Sequence, residues 1–178
     1  MTIDQTRAQV ISSVWQAIAQ SGVDLSSIPL DQQEKLVGKV ADQLMQTLDA
    51  LLDEVASPPD EEDAQPAVEG EQILWRGRPF LSLVETYTIT TERIKIIKGL
   101  LGRGIENFEL VRIQDIDYSQ GLTERMLGIG DITIRGSDES NPKIELRNIH
   151  DPEQIYELLR KAWLEARKRH GLQFREFM

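Results

Sequence analysis

Two histidines are the side chains in this sequence best suited to metal binding or to proton transfer near neutral pH. His150 stands directly before Asp151, a pairing that suits a metal ion, and His170 lies among basic residues. Asp151 followed by Pro152 also fits the start of a helix, with the carboxylate as N-cap and the proline at the first helical position. We favour this second interpretation, and we predict no metal site at either histidine.

Other patterns that could do chemistry are weak. The chain has no cysteine, which excludes thiol nucleophiles, thiolate metal sites and disulfides. The acidic segment Asp60–Asp63 is typical of solvated charge. The segment GLLGRG at residues 99–104 has neither the spacing of a dinucleotide-binding motif nor a helix after it. The sequence therefore predicts no enzyme, no cofactor and no metal, and it favours a binding function.

The net charge of −10 is concentrated in the first part of the chain. Residues 1–72 contain 14 acidic and 3 basic side chains, a net charge of −11, and residues 73–178 contain the other 16 acidic and 17 basic ones, a net charge of +1. Nucleic acids favour basic surfaces, so we expect no nucleic-acid partner. No apolar segment reaches the ~18 residues that cross a bilayer, and no secretory signal begins the sequence. We expect a soluble cytoplasmic protein, with peripheral membrane contact as the alternative.

Residues 1–56 are predicted to form a helical hairpin. Thr2 and Gln5 have the spacing of a capping box before a first helix at about Ile3–Gln20. Gly22 is suited to end that helix, because glycine adopts a left-handed conformation without a Cβ clash.

The second helix of the hairpin is expected at about residues 32–55, where Asp31 and Glu34 repeat the capping-box spacing. Its apolar residues fall on one face, with pairs eleven positions apart, which keeps them on one side of a nearly straight helix. We predict this face to be the surface for a partner helix; it consists of Val37, Val40, Leu44, Leu48, Leu51 and Val55.

A wide apolar face of this kind should be buried, and three occupants are open: a second copy, another protein, or the rest of the same chain. Residues 57–71 follow the hairpin as an acidic linker, with five carboxylates and three prolines in positions 57–70. Such a composition does not bury enough surface to fold by itself. Because such a linker does not force the hairpin to dock on the rest of the chain, we favour self-association or a protein partner.

The remainder of the chain is β-rich. Leu81, Leu83, Tyr87 and Ile89 alternate along one expected strand, whereas the apolar positions change parity after Ile113, which predicts a bulge. Seven strands at intervals of about ten residues favour an antiparallel barrel or sandwich. They are expected at residues 73–75, 81–90, 93–98, 105–111, 112–119, 131–137 and 143–149.

An amphipathic helix should follow the strands, capped by Asp151 with Gln154 completing the capping box. We expect its apolar stripe to close one end of the barrel. The stripe consists of Ile155, Leu158, Leu159, Ala162, Trp163 and Ala166.

The joint GLTERMLGIG, residues 121–130, interrupts the strands with a short helical stretch. Leu122, Met126 and Leu127 are expected to turn inward and cover the other barrel opening. Gly128 and Gly130 should let the chain re-enter the sheet at unusual dihedral angles and at close approach. We expect the joint to be structural, without catalytic residues.

The segments YTITTERIKIIKGLLGRG, LVRIQDIDYSQGLTERMLGIGDITI and IELRNIHDPEQIYELLRKA resemble the bacterial pleckstrin-homology family, over residues 72 to about 168. The resemblance implies an α+β fold in which seven antiparallel strands are capped by a C-terminal helix. Members of the family are often membrane-anchored, with transmembrane helices before the domain, which this sequence lacks. The expected organisation is a hairpin (1–56), a linker (57–71), a pleckstrin-homology-like domain (72–170) and a tail (171–178).

By analogy with eukaryotic pleckstrin-homology modules, which bind phosphoinositides through basic residues near the first hairpin, a basic rim is expected at one barrel mouth. It would consist of Arg76, Arg78, Lys95, Lys98 and Arg103. The alternative is that these residues are solubilising charges on exposed strand edges.

The sequence thus predicts a non-catalytic binding or scaffolding module. The first hypothesis is protein–protein interaction or homo-oligomerisation through the N-terminal helices. The second is a peripheral membrane adaptor that binds anionic lipid headgroups through the basic rim.

Overall fold

A computed structural model describes residues 2–55, 70–99, 104–138 and 142–171. The first helix, α1, spans Ile3–Ser21, and its predicted capping box is present: the Thr2 hydroxyl accepts from the Gln5 backbone N–H, and the Gln5 side chain accepts from the Thr2 N–H. Gly22 ends the helix in a left-handed conformation with φ of 73°. Both predicted ends of α1 are therefore confirmed to within one residue.

The second helix, α2, spans Leu30–Val55, so the predicted start at residue 32 with Asp31 as cap is wrong. The Pro29 carbonyl instead accepts from the backbone N–H groups of residues 32 and 33. Proline has a φ near the helical value, and the Pro29 carbonyl accepts the first backbone hydrogen bonds of the helix. The helix therefore begins two residues earlier than predicted. Asp31 lies in the first turn, 3.7 Å from Lys35.

In the described residues, seven strands form two antiparallel sheets, in agreement with the predicted strand number. The first sheet has the order β1-β2-β3-β4 and the second has the order β5-β6-β7. A 3₁₀ turn at Leu110–Arg112 joins the two sheets. The strands are β1 Ile73–Gly77, β2 Glu85–Thr90, β3 Arg93–Lys98, β4 Gly104–Glu109, β5 Ile113–Ser119, β6 Ile129–Gly136 and β7 Lys143–His150.

Strand β2 is shorter than the sequence predicts. Leu83 is 46% exposed, and Leu81 has a positive φ of 56°, so neither residue continues the inward face of the strand. Pairing begins only at Glu85, opposite Lys98. The alternation of apolar residues before Glu85 therefore belongs to a loop, in which Leu81 reaches α2.

The two sheets face each other across one apolar core. Tyr87 and Ile89 of β2 lie on the same inner face as Ile94 and Ile96 of β3, and all four are almost fully buried. The second sheet contributes its inward residues from β5, β6 and β7: Ile113, Ile116, Ile132, Ile134, Ile144, Leu146 and Ile149. The predicted bulge in β5 is confirmed by a register shift between Ile113 and Asp115 opposite β6.

The C-terminal helix, α4, spans Pro152–Arg169 and closes one end of the sandwich. Its residues Ile155, Leu159, Ala162 and Ala166 are buried in the core, and the Trp163 indole N–H donates to the Ile113 carbonyl at 3.1 Å.

The start of α4 differs from the sequence prediction in one respect. Pro152 occupies the first turn as predicted, but Asp151 adopts a left-handed conformation with φ of 48°, and its side chain makes no capping hydrogen bond. The predicted Asp151–Gln154 capping box is therefore wrong. Because the φ of Pro152 is already near the helical value, α4 begins without this capping box.

The joint contains the short helix α3, Leu122–Leu127. Leu127 is buried, but Leu122 is 85% exposed and Met126 is 56% exposed, so the prediction that all three residues cover a barrel end is wrong. Gly128 ends α3 at φ of 71°. At Gly130, an added Cβ would lie 2.8 Å from the Ser119 carbonyl oxygen, which confirms the expected close approach.

Candidate functional site

The helical hairpin packs against the β-sandwich within the same chain. Met45 of α2 forms a buried cluster with Phe80, Leu127 and Ile129, which follow β1, end α3 and begin β6. Ile3, Val10 and Leu81 pack around this cluster while remaining partly exposed. The sequence analysis favoured a hairpin that contacts a second copy or another protein and not the rest of its own chain. This preference is corrected, because one side of α2 packs against the sandwich of the same chain.

A buried carboxylate holds the second half of α2 in place. The side chain of Asp49 is 4% exposed and receives three hydrogen bonds or ion pairs: from Arg78 at 2.8 Å, from the Leu81 backbone N–H at 2.7 Å and from His150 Nε2 at 2.7 Å. Arg78 also donates to the Asp49 carbonyl at 2.7 Å and to Asp53 at 2.8 Å. We name Asp49, Arg78 and His150 the interdomain cluster.

The charge of Asp49 is stabilised by these partners. Burial by itself would raise the pKa of this carboxyl, but the Leu81 N–H, His150 and Arg78 donate to it, and together they hold its pKa below the ordinary value of 3.8. A charged carboxylate that is buried and held by three donors from distant parts of the chain suits structural docking.

Sequence reasoning missed the interdomain cluster. It assigned Arg78 to a basic rim and His150 to a loop beside a helix start. One indication was available: Asp49 continues the ridge of every fourth residue that is buried on α2, after Val37, Ala41 and Met45. An acidic residue at the end of an apolar ridge requires a donor, but the sequence does not show which arginine or histidine supplies it.

The predicted partner face of α2 is divided between burial and exposure. Val37 is buried at 1% exposure, whereas Val40, Leu44, Leu48 and Leu51 are 39%, 46%, 52% and 51% exposed. The side chain of Val55 lies outside the described residues. We name these four exposed residues the α2 strip; they occupy three turns on a side of α2 that the sandwich does not cover.

The predicted basic rim does not come together as one cationic surface in the described residues. Arg78 is 11% exposed and bound to Asp49 and Asp53. Lys98 lies 3.1 Å from Glu106.

Two of the other three rim positions, Arg76 and Lys95, lie in one cross-strand row on either side of Thr88. Arg76 lies opposite Thr88 in the first sheet, and its Nε and Nη2 atoms are buried with no acceptor among the described residues. Lys95 lies on β3, also opposite Thr88. Arg103 lies outside the described residues.

A cleft of about 350 Å³ opens between the two sheets, beside Lys98. Its charged side chains are balanced in number: Glu85, Lys98, Glu106, Lys143, Glu145 and Arg147. Lys98 pairs with Glu106, and Glu145 pairs with both Lys143 and Arg147. Such a lining offers little net attraction to a phosphate group.

The cleft also contains a buried phenol. Tyr87 is 1% exposed, and its hydroxyl lies 2.8 Å from a carboxylate oxygen of Glu85, to which it donates. Burial, followed by this hydrogen bond to Glu85, raises the pKa of Tyr87 well above its ordinary value. The phenol therefore remains protonated and serves as a structural donor.

The histidines have structural partners. His150 contacts Asp49 and the edge of the Phe80 ring, and His170 lies 3.2 Å from Glu92. Among residues 2–55, 70–99, 104–138 and 142–171, no three histidine or carboxylate side chains converge in a way that would hold a metal ion.

The sandwich, with its C-terminal helix across one end, is the part of the chain that matches a known family. The profile described as the bacterial PH domain matches residues 73–163, from β1 into α4. The chain belongs to the bacterial PH domain family. This PH domain comprises the sandwich and α4, and the hairpin precedes it.

Two further comparisons accompany the family match. A solved DUF1696 family protein with a pleckstrin-homology domain, from Shewanella loihica, is 18% identical and covers 63% of this chain and 92% of its own length, with a TM-score of 0.46. That likeness is too low for properties to be transferred from it. No curated protein matches the chain.

The family match supports a binding or adaptor module in general and indicates no catalytic family. In the described part of the chain, no helix combines the length and apolar character needed to span a bilayer.

Proposed function

We propose that this PH domain protein is a scaffold that self-associates through the α2 strip. The observation that carries the proposal is the exposure of Val40, Leu44, Leu48 and Leu51 on a helix whose other side is already docked. A contiguous apolar patch on the surface of a protein favours association, so such a strip is suited to contact a partner.

The surroundings of the α2 strip favour a second copy as its occupant. Between Val40 and Leu51 the charged residues are Asp42 and Asp49, and both are buried and paired, with Arg7 and with Arg78 respectively. The exposed polar neighbours of the strip in this interval are uncharged. A self-complementary contact therefore buries no unpaired charge, which would otherwise oppose association.

The energy available from the strip is sufficient to matter. Each of the leucines is about half exposed, and burying the remaining half of such a side chain contributes about 1 kcal/mol. A symmetric contact counts each residue twice, once from each copy. The strip therefore supports a pair of chains, with one PH domain carried by each.

Light scattering on the full chain tests the proposal. We expect the wild type to show twice the 20.3 kDa mass of one chain, and we expect Leu44→Glu and Leu48→Glu to reduce this to a single chain. Leu122→Glu is the matched control, because Leu122 is 85% exposed but lies on α3, away from the strip. A wild type that remains at the mass of one chain over a wide concentration range contradicts the proposal.

A further inference from the structure

The outer face of the first sheet carries a row of hydrogen-bond donors. Arg76 of β1 and Lys95 of β3 lie on either side of Thr88 of β2, and Asn107 of β4 lies opposite Lys95. The alternate residues of β2 and β3 face the core, so these four side chains lie on the other side of the sheet. We name them the donor row. Thr88 is buried between the two cations, and Asn107 is exposed.

Arg76 is the member of the donor row whose hydrogen bonds are incomplete. Its Nε and Nη2 atoms are buried without an acceptor among the described residues, although the side chain as a whole is only half-buried. A guanidinium that is partly removed from water without a counter-charge is unfavourable. A bound carboxylate would supply both the charge and the acceptors, because carboxylates pair with arginine through two parallel hydrogen bonds.

The carboxylates on one side of the donor row are bound to other cations. Glu71 accepts from Arg93 at 3.0 Å, and Glu109 lies 2.9 Å from Arg112. That end of the outer face is therefore locally neutral, whereas the donor row contains two cations and no acidic residue. The charge of the row is complementary to an acidic ligand.

The other side of the donor row is apolar. Ile97 lies opposite both Thr86 and Ile105, and the Ile105 side chain is 47% exposed. Val84, two residues before Thr86, is 44% exposed. These residues lie about 7 Å or more along the strands from the donor row. A ligand held by the cations therefore has an apolar surface beside it.

We propose that the donor row binds an acidic segment of a partner protein in extended conformation. Neighbouring strands are about 4.8 Å apart, so the row is about 14 Å long from β1 to β4, which equals four residue steps of an extended chain. Alternate side chains of such a segment lie on one face. Two carboxylates in alternate positions then reach Arg76 and Lys95, and an apolar residue two positions further along contacts Ile105.

An anionic bilayer fits this face less well than an acidic segment does. Basic clusters that bind anionic lipid contain about four to eight lysines and arginines, whereas the donor row has two. The face belongs to the PH domain and the α2 strip belongs to the hairpin. The acidic-segment proposal and the proposed self-association therefore succeed or fail independently.

Fluorescence anisotropy on the full chain tests the proposal with the labelled peptide Glu-Thr-Glu-Thr-Val and its uncharged counterpart Gln-Thr-Gln-Thr-Val. We expect only the acidic peptide to bind, and we expect added salt to weaken its binding. Arg76→Gln and Lys95→Gln should each raise the dissociation constant at least about fivefold, because each removes a charge-assisted hydrogen bond. Arg135→Gln is the control: Arg135 is an exposed cation on the second sheet, paired with Asp115 and Asp117, and its loss should leave the affinity unchanged.

Thermal unfolding distinguishes ligand binding from a structural role of Arg76. Because Arg76 lacks an acceptor for two of its nitrogens among the described residues, Arg76→Gln should unfold at or above the temperature of the wild type. A distinctly lower unfolding temperature would show that Arg76 already has a structural partner, which overturns the assignment.

The binding data give two further outcomes that overturn the proposal. One is a chain that does not bind the acidic peptide, or an Arg76→Gln variant that binds it as tightly as the wild type. The other is binding to phosphatidylserine vesicles that depends on Arg76 and Lys95 while the peptide does not bind, which would assign the donor row to lipid.

Discussion

Nε2 of His150 lies 2.7 Å from Oδ2 of Asp49, although 101 residues separate the two in sequence. Asp49 belongs to the hairpin and His150 ends the last strand of the PH domain. Arg78 completes this cluster from the loop after β1. The contact therefore joins the two parts of the chain through charged groups, next to the apolar contact made by Met45.

Asp49→Asn should destabilise the protein by about 3 kcal/mol. The change leaves the guanidinium of Arg78, which is 11% exposed, without its buried charge partner. Urea denaturation followed by circular dichroism measures the loss. Asp31→Asn is the matched control on the same helix; its partner Lys35 is exposed, and we expect a change within about 0.5 kcal/mol. Equal effects of the two substitutions would contradict the structural role of Asp49.

The contribution of Asp49 should depend on pH with a defined sign. Because the folded pKa of Asp49 lies below the ordinary value of 3.8, its charged form stabilises the folded state above that value. The stabilisation declines as pH falls through 3.8 towards the folded pKa. The difference in unfolding free energy between wild type and Asp49→Asn, measured from about pH 6 to pH 3, should therefore be constant and then shrink. A difference that grows on acidification would refute this assignment.

Gly130→Ala should destabilise the fold by about 1–3 kcal/mol, since the new methyl group would lie 2.8 Å from the Ser119 carbonyl oxygen and 2.9 Å from Pro152. Gly104→Ala provides the comparison, because there the nearest atom would be 3.8 Å away. Thermal unfolding of both variants gives the measurement. If Gly130→Ala is as stable as Gly104→Ala, the joint does not approach β5 as closely as described.

Leu159→Ala should cost about 2–5 kcal/mol, because Leu159 is fully buried where α4 closes the sandwich. Leu164→Ala lies on the same helix at 36% exposure, and we expect less than about 1 kcal/mol from it. Urea denaturation of the pair decides whether α4 is an integral part of the core. A small loss at Leu159 would mean that α4 is only loosely attached.

Vesicle flotation should show no salt-sensitive binding to phosphatidylserine vesicles. Of the predicted rim, Arg78 is bound to the hairpin, and Lys98 is neutralised by Glu106. Recovery of the chain with anionic vesicles should therefore equal its recovery with neutral phosphatidylcholine vesicles. Binding that disappears on reversing Lys95 and Lys98 would instead favour the membrane adaptor.

The elements that follow local rules could be predicted from the sequence. The cap at Thr2, the end at Gly22 and the bulge after Ile113 each depend on neighbouring residues, and the structure has all three. The inward positions of Ile94 and Ile96 in β3, and of Ile144 and Leu146 in β7, follow from simple alternation. These features require no knowledge of the distant parts of the chain.

The errors concern residues whose environment is set by distant segments. Leu122 and Met126 have an apolar pattern that suggests burial, yet only Leu127 turns inward, because α2 supplies Met45 at that point and the space is filled. Arg78 resembles a surface cation until Asp49 is placed beside it. Docking of the hairpin depends on pairs far apart in sequence, and helical or strand periodicity does not encode such pairs.

The 101-residue separation of Asp49 and His150 has a consequence during synthesis. Translation at roughly 5–20 residues per second leaves an interval of about 5–20 s between the two residues. The hairpin thus leaves the ribosome well before its docking partner exists, with Met45 and the neighbouring leucines still in contact with water. Under the proposed self-association, nascent chains on one messenger RNA can therefore pair through their α2 helices before either PH domain is complete.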